Sequence, residues 1–191
     1  MVAHMIPKWN MEGVLPPIWP GEDGVSQNRS PYPSTTTEVV DVFATSVDRL
    51  AILQGLLDYR QALYTAGIVD GFQWLDGSFM EDVESHQGRS PQDIDVVTYF
   101  GIPVGETQRT IAQKSPHLFN HGWVKAKYKV DSYYEVLGEA FAERHVLKLS
   151  YWYSMWSHNR NQTWKGFVRV NLDPTEDAFA LQVLQSKRVG P

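Results

Sequence analysis

Phe72-Gln73-Trp74-Leu75-Asp76-Gly77-Ser78-Phe79, followed after a polar excursion by Asp93-Ile94-Asp95-Val96-Val97-Thr98-Tyr99-Phe100, is the stretch around which the chain is organised. Each half is a short apolar run rich in aromatic and β-branched residues, the composition of a strand. Side chains on a strand alternate, so Asp93 and Asp95 share one face while Ile94 and Val96 point the other way, into a core. Two ionised carboxylates this close repel, and burying them is costly unless a cation or hydrogen-bond donors compensate. A divalent metal is the usual reason to hold such a pair rigidly, and Mg²⁺ (or Mn²⁺) suits oxygen ligands best. Gly77-Ser78, directly after the first strand, offers what a phosphate needs: close backbone approach, free N–H groups and a hydroxyl.

Bulk properties set the frame. A chain of 191 residues is most simply one domain with room for a substantial core. With 42% hydrophobic and 20% charged residues, the composition is that of an ordinary globular protein. Seven Trp, nine Tyr and eight Phe are a heavy aromatic load, more often core than ligand cage. The absence of cysteine excludes disulfides and Cys-based zinc sites. A formal net charge of −5 argues against broad nucleic-acid binding while leaving room for a local basic patch. No early apolar run is long enough for a signal peptide or a membrane span, so the expected location is cytoplasmic, with no membrane partner.

In chain order, residues 1–37 carry six of the eleven prolines together with Gly13, Gly21 and Gly24, and are expected to be extended or looped. Their apolar side chains (Ile6, Trp9, Val14, Leu15, Ile18, Trp19) predict that they lie across a single domain formed by residues 38–191. Thr35-x-x-Glu38 fits a capping box. Val39, Phe43, Val47, Leu50, Leu53 and Leu57 then follow helical spacing to a stop near Gly67, either as one helix or as two broken at Gly55. Glu81, Asp82, Glu84, His86 and Arg89 read as a solvated loop, of which Arg89 alone is a candidate to meet a phosphate. Glu106 to Lys114 reads as a short helix. His117 and His121 have the spacing of a zinc pair on a helix, but no acid follows the first His and no third ligand is evident. From Lys125 to Val136 polar and apolar residues alternate, which predicts a strand carrying Lys125, Lys127, Lys129 and Asp131 on one face. An edge strand guarded by lysines is the plain alternative. Gly138 to Trp156, including Phe141, reads as a helix, Trp164 to Leu172 as a strand, and Asp173-Pro174 opens a final helix.

Taken in order, these features resemble the polymerase-β-like nucleotidyltransferase superfamily, whose signature is Gly-Ser after one strand, Asp-x-Asp on the next and a further carboxylate on a later one. More closely, the chain is similar to a small bacterial and phage family predicted to have that fold. The likeness runs through Glu12-Gly13-Val14-Leu15-Pro16-Pro17, Leu75-Asp76-Gly77-Ser78-Phe79, Pro91-Gln92-Asp93-Ile94-Asp95-Val96-Val97, Val130-Asp131-Ser132-Tyr133 and Trp164-Lys165-Gly166-Phe167-Val168-Arg169-Val170, across residues 10 to 172. The fourteen residues between Ser78 and Asp93 are more than compact members carry, and mark a loop or extra turn beside the site.

The resemblance implies an α+β fold with a small mixed sheet packed on helices. It implies Asp93, Asp95 and Asp131 as catalytic metal-site carboxylates, and Gly77, Ser78 and Lys129 as nucleotide-binding residues. The expected reaction moves a nucleoside monophosphate from an NTP to an acceptor hydroxyl, on RNA, tRNA or a partner protein, with a toxin–antitoxin or phage-defence role by family analogy. The alternatives are a catalytically inactive binding or regulatory module and, third, a metal-dependent phosphohydrolase. An EF-hand is excluded, because valines follow Asp95 where oxygen ligands and a glycine are required.

Overall fold

The computed structural model describes residues 5–138, 140 and 142–189. These form a mixed α+β fold: a five-stranded mixed sheet in the order β1-β5-β2-β3-β4, with helices on both faces. The strands are β1 (Tyr32–Ser34), β2 (Gly71–Asp76), β3 (Ile94–Gly101), β4 (Val130–Leu137) and β5 (Val168–Asn171). β2 runs antiparallel to both β3 and β5, whereas the outer pairs, β3 with β4 and β1 with β5, are parallel. The helices are α1 (Thr36–Phe43), α2 (Val47–Thr65), α3 (Val83–Gln87), α4 (Gln108–Lys114), α5 (His121–Tyr128), α6 (Glu143–Trp156) and α7 (Pro174–Val189). None of the helices among the described residues is long and apolar enough to cross a membrane.

Alternation along the strands divides the core in two. Leu75, Ile94, Val96, Val168 and Val170 face α1, α2, α5 and α7, where Val39, Phe43, Leu53, Leu56, Val124 and Leu184 complete the larger cluster. Trp74, Val97, Tyr99 and Phe167 face the other way and meet Trp152 and Trp156 of α6 in an aromatic layer. A buried Arg60 crosses the larger core, bonding Asp177 of α7, Gln73 of β2 and the Asn171 carbonyl. Four of its five donors reach two strands and a helix at once, so the charge is matched rather than stranded.

Several expectations change in detail. The helical run from Thr35 does break, but at Ala44–Ser46, where Ser46 caps α2 afresh, and not at Gly55. Gly55 lies inside α2, where a Cβ would sit 1.9 Å from the Tyr128 carbonyl oxygen; its role is to let α5 approach. Thr35 accepts from the Glu38 N–H as expected, while the Glu38 carboxylate takes the Met5 and Ile6 N–H groups. The sheet begins inside the Pro-rich segment, at β1. Residues 125–129 are not strand: Asn120 caps α5 through the Trp123 N–H, and Lys129 closes that helix in the left-handed conformation at φ 56°. Phe141 lies outside the described residues.

The loop between the first two long strands is anchored, not solvated. Arg49 of α2 is fully buried, with 0% exposure, and donates to the Phe79 and Glu81 carbonyls and to both oxygens of Glu84. On the outer side, the Trp9 indole donates to the Met80 carbonyl and the Gly13 carbonyl accepts from the Asp82 N–H. The same N-terminal strap accepts from the Gly166 N–H through Leu15. One early segment therefore holds both flanks of the region described next.

Candidate functional site

Three aspartates stand in register across three neighbouring strands. Asp76, the last residue of β2, lies opposite Asp95 of β3, which in turn lies beside Asp131 of β4. Directly paired residues project from the same face, so all three carboxylates point towards the α6 side, with Asp93 two residues before Asp95 on that face. They line a cleft of about 770 Å³ whose walls include Gly77, Ser78, Glu81, Lys125, Tyr133 and Lys165. Arg89, His158 and Arg160 stand around it as well.

Gly77 shapes the floor. It adopts φ 84° and ψ −171°, a conformation open in practice only to glycine, and a Cβ there would meet Asp95 Oδ2 at 2.5 Å. The chain then enters a single 3₁₀ turn, Ser78–Met80, that buries Phe79 and Met80 and leaves Ser78 at the cleft.

Two lysines balance the acids in different ways. Lys165 is 3% exposed, with Nζ 2.9 Å from Asp76 Oδ1, 2.8 Å from Glu81 Oε1 and 3.3 Å from the Gly77 carbonyl. Burial alone would lower its pKa, but the Asp76 and Glu81 carboxylates outweigh burial and hold it above the ordinary lysine value. Asp76 Oδ1 has no well-directed hydrogen bond, so its contact with Lys165 is ionic in kind. Lys125, reaching over from α5, sets Nζ 2.9 Å from Asp93 Oδ2 and 2.7 Å from Asp131 Oδ2. Burial pulls its pKa down, and hydrogen bonds to Asp131 and Asp93 raise it by more. Asp131 Oδ1 lies 3.1 Å from His121 Nε2, again without good hydrogen-bond geometry.

Asp95 is the least compensated of the set. Burial, then repulsion from Asp131 and Asp93, pushes it up to about 6, against the weaker pull of Lys165 and Lys125. Asp76 is pushed up to about 7 by burial despite Lys165. Tyr133 rises to about 12, through burial and the neighbouring Asp131.

Asp93, Asp95, Asp131, Gly77 and Ser78 thus converge on one cleft. Lys129 does not: it is exposed at the end of α5 and absent from the cleft lining, and Lys125 reaches the carboxylates instead. Glu81 and Glu84, read as solvated, are ion-paired to Lys165 and Arg49. The two histidines part company: the His117 ring packs on Trp123 and His121 turns to Asp131. Asp76, Lys165 and Glu81 were not recognised as site residues from sequence. Asp76 carried a usable signal, since it lies two residues after Trp74 on one strand face, next to Gly77. Lys165 and Glu81 meet 84 positions apart, and no local pattern announces that.

The donor set is all carboxylate oxygen, the chemistry of a hard divalent cation, and Asp131 Oδ1 is buried without a proper hydrogen-bond donor. As the side chains stand, no group of three or more His, Asp or Glu among the described residues is arranged to hold a metal ion. The Lys125 ammonium lies between Asp93 and Asp131 instead.

A family model matches residues 7–171, nearly the whole described fold and every residue of this cleft. The chain belongs to the DUF6932 family. That family is described as one of unknown function. No curated protein and no solved structure matches the chain. The DUF6932 match contains the N-terminal strap, all five strands and both lysines of the cleft.

Proposed function

We propose that this protein is a metal-dependent nucleotidyltransferase of the polymerase-β-like fold, moving a nucleoside monophosphate from an NTP to an acceptor hydroxyl on RNA or a protein. The observation that carries the reading is the in-register row Asp76–Asp95–Asp131, with Asp93 beside it, at a cleft floored by Gly77 and Ser78. Nucleotidyl transfer asks little covalent work of a protein; it needs in-line positioning and neutralisation of charge on attacking and leaving oxygens. Mg²⁺ or Mn²⁺ would supply that neutralisation and lower the pKa of the attacking hydroxyl.

The chain's own residues divide the remaining work. Asp93, Asp95 and Asp131 would hold the cation, coming from the two sides of the parallel β3–β4 pair. The Gly77–Ser78 backbone and hydroxyl would cradle the phosphates, because glycine alone lets the chain come this close to Asp95. Asp131, beside His121, is placed to take the proton of the acceptor hydroxyl. Arg89 and Arg160 add positive charge at the cleft for the triphosphate. Lys165 keeps Asp76 and Glu81 in place behind the floor.

A second reading, an inactive member retained as a binding module, draws on Lys125: the ammonium already bridges Asp93 and Asp131 without a metal. Incubation with each α-³²P-labelled NTP and Mg²⁺, with total tRNA or lysate as acceptor, separates the two. Label transferred by the wild type and lost in Asp93→Ala/Asp95→Ala supports the enzyme. No transfer and no Mg²⁺-dependent NTP binding by calorimetry would favour the binding module.

A further inference from the structure

We infer that Lys125 is an exchangeable internal cation, a resident counter-charge that a divalent metal ion must displace to reach Asp93 and Asp131. The inference rests on the metal-site reading above and adds to it an order of events within the site.

Geometry is the starting point. The ammonium bridges Asp93 Oδ2 and Asp131 Oδ2 at 2.9 and 2.7 Å, and these belong to two of the three carboxylates proposed to bind metal. A divalent ion held by Asp93 and Asp131 would draw on the same two carboxylates, and Mg²⁺ takes its oxygens at about 2.0–2.1 Å. Two cations crowded onto one pair of carboxylates repel at close range, in surroundings less polar than water. Either the ammonium or the metal holds the pair.

The contrast with Lys165 shows which lysine can leave. Lys165 also borders the cleft, but its side chain is 3% exposed and is held between Asp76 and Glu81. The Lys125 side chain is 42% exposed and sits on a flexible four-carbon stem in the last turn of α5. The helix beneath it is fixed: Val124 is fully buried, and the Tyr128 carbonyl abuts Gly55 of α2. Only the side chain need move. Swung outward, it stays at the cleft, where Arg89 and Arg160 also stand, so metal entry would enlarge the positive charge facing an incoming anion. His121 remains on the other oxygen of Asp131 and is not part of the exchange.

Mn²⁺ binding, followed by electron paramagnetic resonance and calorimetry at pH 7.5, tests this without any turnover. Lys125→Met, and Lys125→Gln as a second neutral variant, should bind Mn²⁺ at least ten-fold more tightly than the wild type, with Lys125→Arg no tighter than the wild type. Thermal melts in EDTA establish that each variant is folded. Unchanged or weaker Mn²⁺ affinity in the folded neutral variants overturns the exchange while leaving the metal site standing. Absence of Mn²⁺ binding in the wild type and in both neutral variants overturns the metal site and the exchange together.

Discussion

Asp76 and Asp95 face each other directly across the β2–β3 pair, and neither is an ordinary carboxyl: burial pushes the first up to about 7 and the second up to about 6. Asp76 has a buried lysine within ion-pair reach, whereas Asp95 receives only longer-range help from Lys165 and Lys125. The pair therefore stores unfavourable charge at neutral pH, which a bound cation would relieve.

Asp95→Asn should accordingly stabilise the metal-free protein at pH 8. A carboxyl whose folded pKa lies above its unfolded value binds more protons folded than unfolded between the two. For Asp95 that window runs from 3.8 to about 6; stability is gained as the pH falls through it and is absent above it. At about 1.4 kcal/mol per pKa unit, the gain from the substitution is roughly 2–3 kcal/mol at pH 8 and shrinks steadily towards pH 4. Urea denaturation at pH 8, 6 and 4.5 in EDTA measures it; a gain that grew with acidity would refute the assignment.

Lys165→Met should do the opposite. It leaves Asp76 and Glu81 buried beside one another without a counter-ion, and removing one partner of a buried ion pair typically costs about 3–5 kcal/mol. Part of the loss should return as the pH falls below about 7, because Asp76 takes up a proton there even with Lys165 in place and more readily without it. Equilibrium unfolding at pH 8 and pH 5 makes the comparison, and an equal loss at both pH values would contradict it.

Gly77→Ala combines two penalties. The φ of 84° alone costs roughly 1–3 kcal/mol for a residue with a side chain. In addition, the new Cβ would press on Asp95 Oδ2 from 2.5 Å. The variant should melt lower and lose the proposed nucleotidyl transfer by more than ten-fold; undiminished transfer in the folded variant would remove the floor from the proposed site.

Gly55→Ala sets two effects against each other. Propensity inside a helix favours alanine by about 1 kcal/mol. Here the added methyl would meet a backbone carbonyl, Tyr128 O, at 1.9 Å, and neither helix can yield cheaply. Overpacking should win, with a net loss of about 1–3 kcal/mol, and α5 should shift together with Lys125. A higher melting temperature than the wild type would show that α2 and α5 are looser than described.

The legible parts of this fold were those written in local period. β2 and β3 are short apolar runs of β-prone residues, Thr35 and Asp173-Pro174 mark helix starts, and Asp-x-Asp places two carboxylates on one face; all of these stand in the structure. Lys125 to Val136 alternates, yet its first four residues belong to α5, because Asn120 caps the turn before them and Lys129 closes it in the left-handed conformation. A helix of eight residues offers too few periods to overrule a chance alternation. The long-range ion pairs left no local trace. Glu84 reads as any surface acid until Arg49, 35 residues earlier, is buried beneath it.

The sheet closes out of chain order. β5, translated after the other four strands, slots between β1 and β2 and carries Lys165 in behind Asp76 just before it. Until β5 pairs, β1 therefore stands apart from the other strands and Asp76 lacks its lysine. A chain lacking residues 165–171 would leave β1 without a partner and one edge of β2 open, the kind of bare strand edge that invites pairing with other chains.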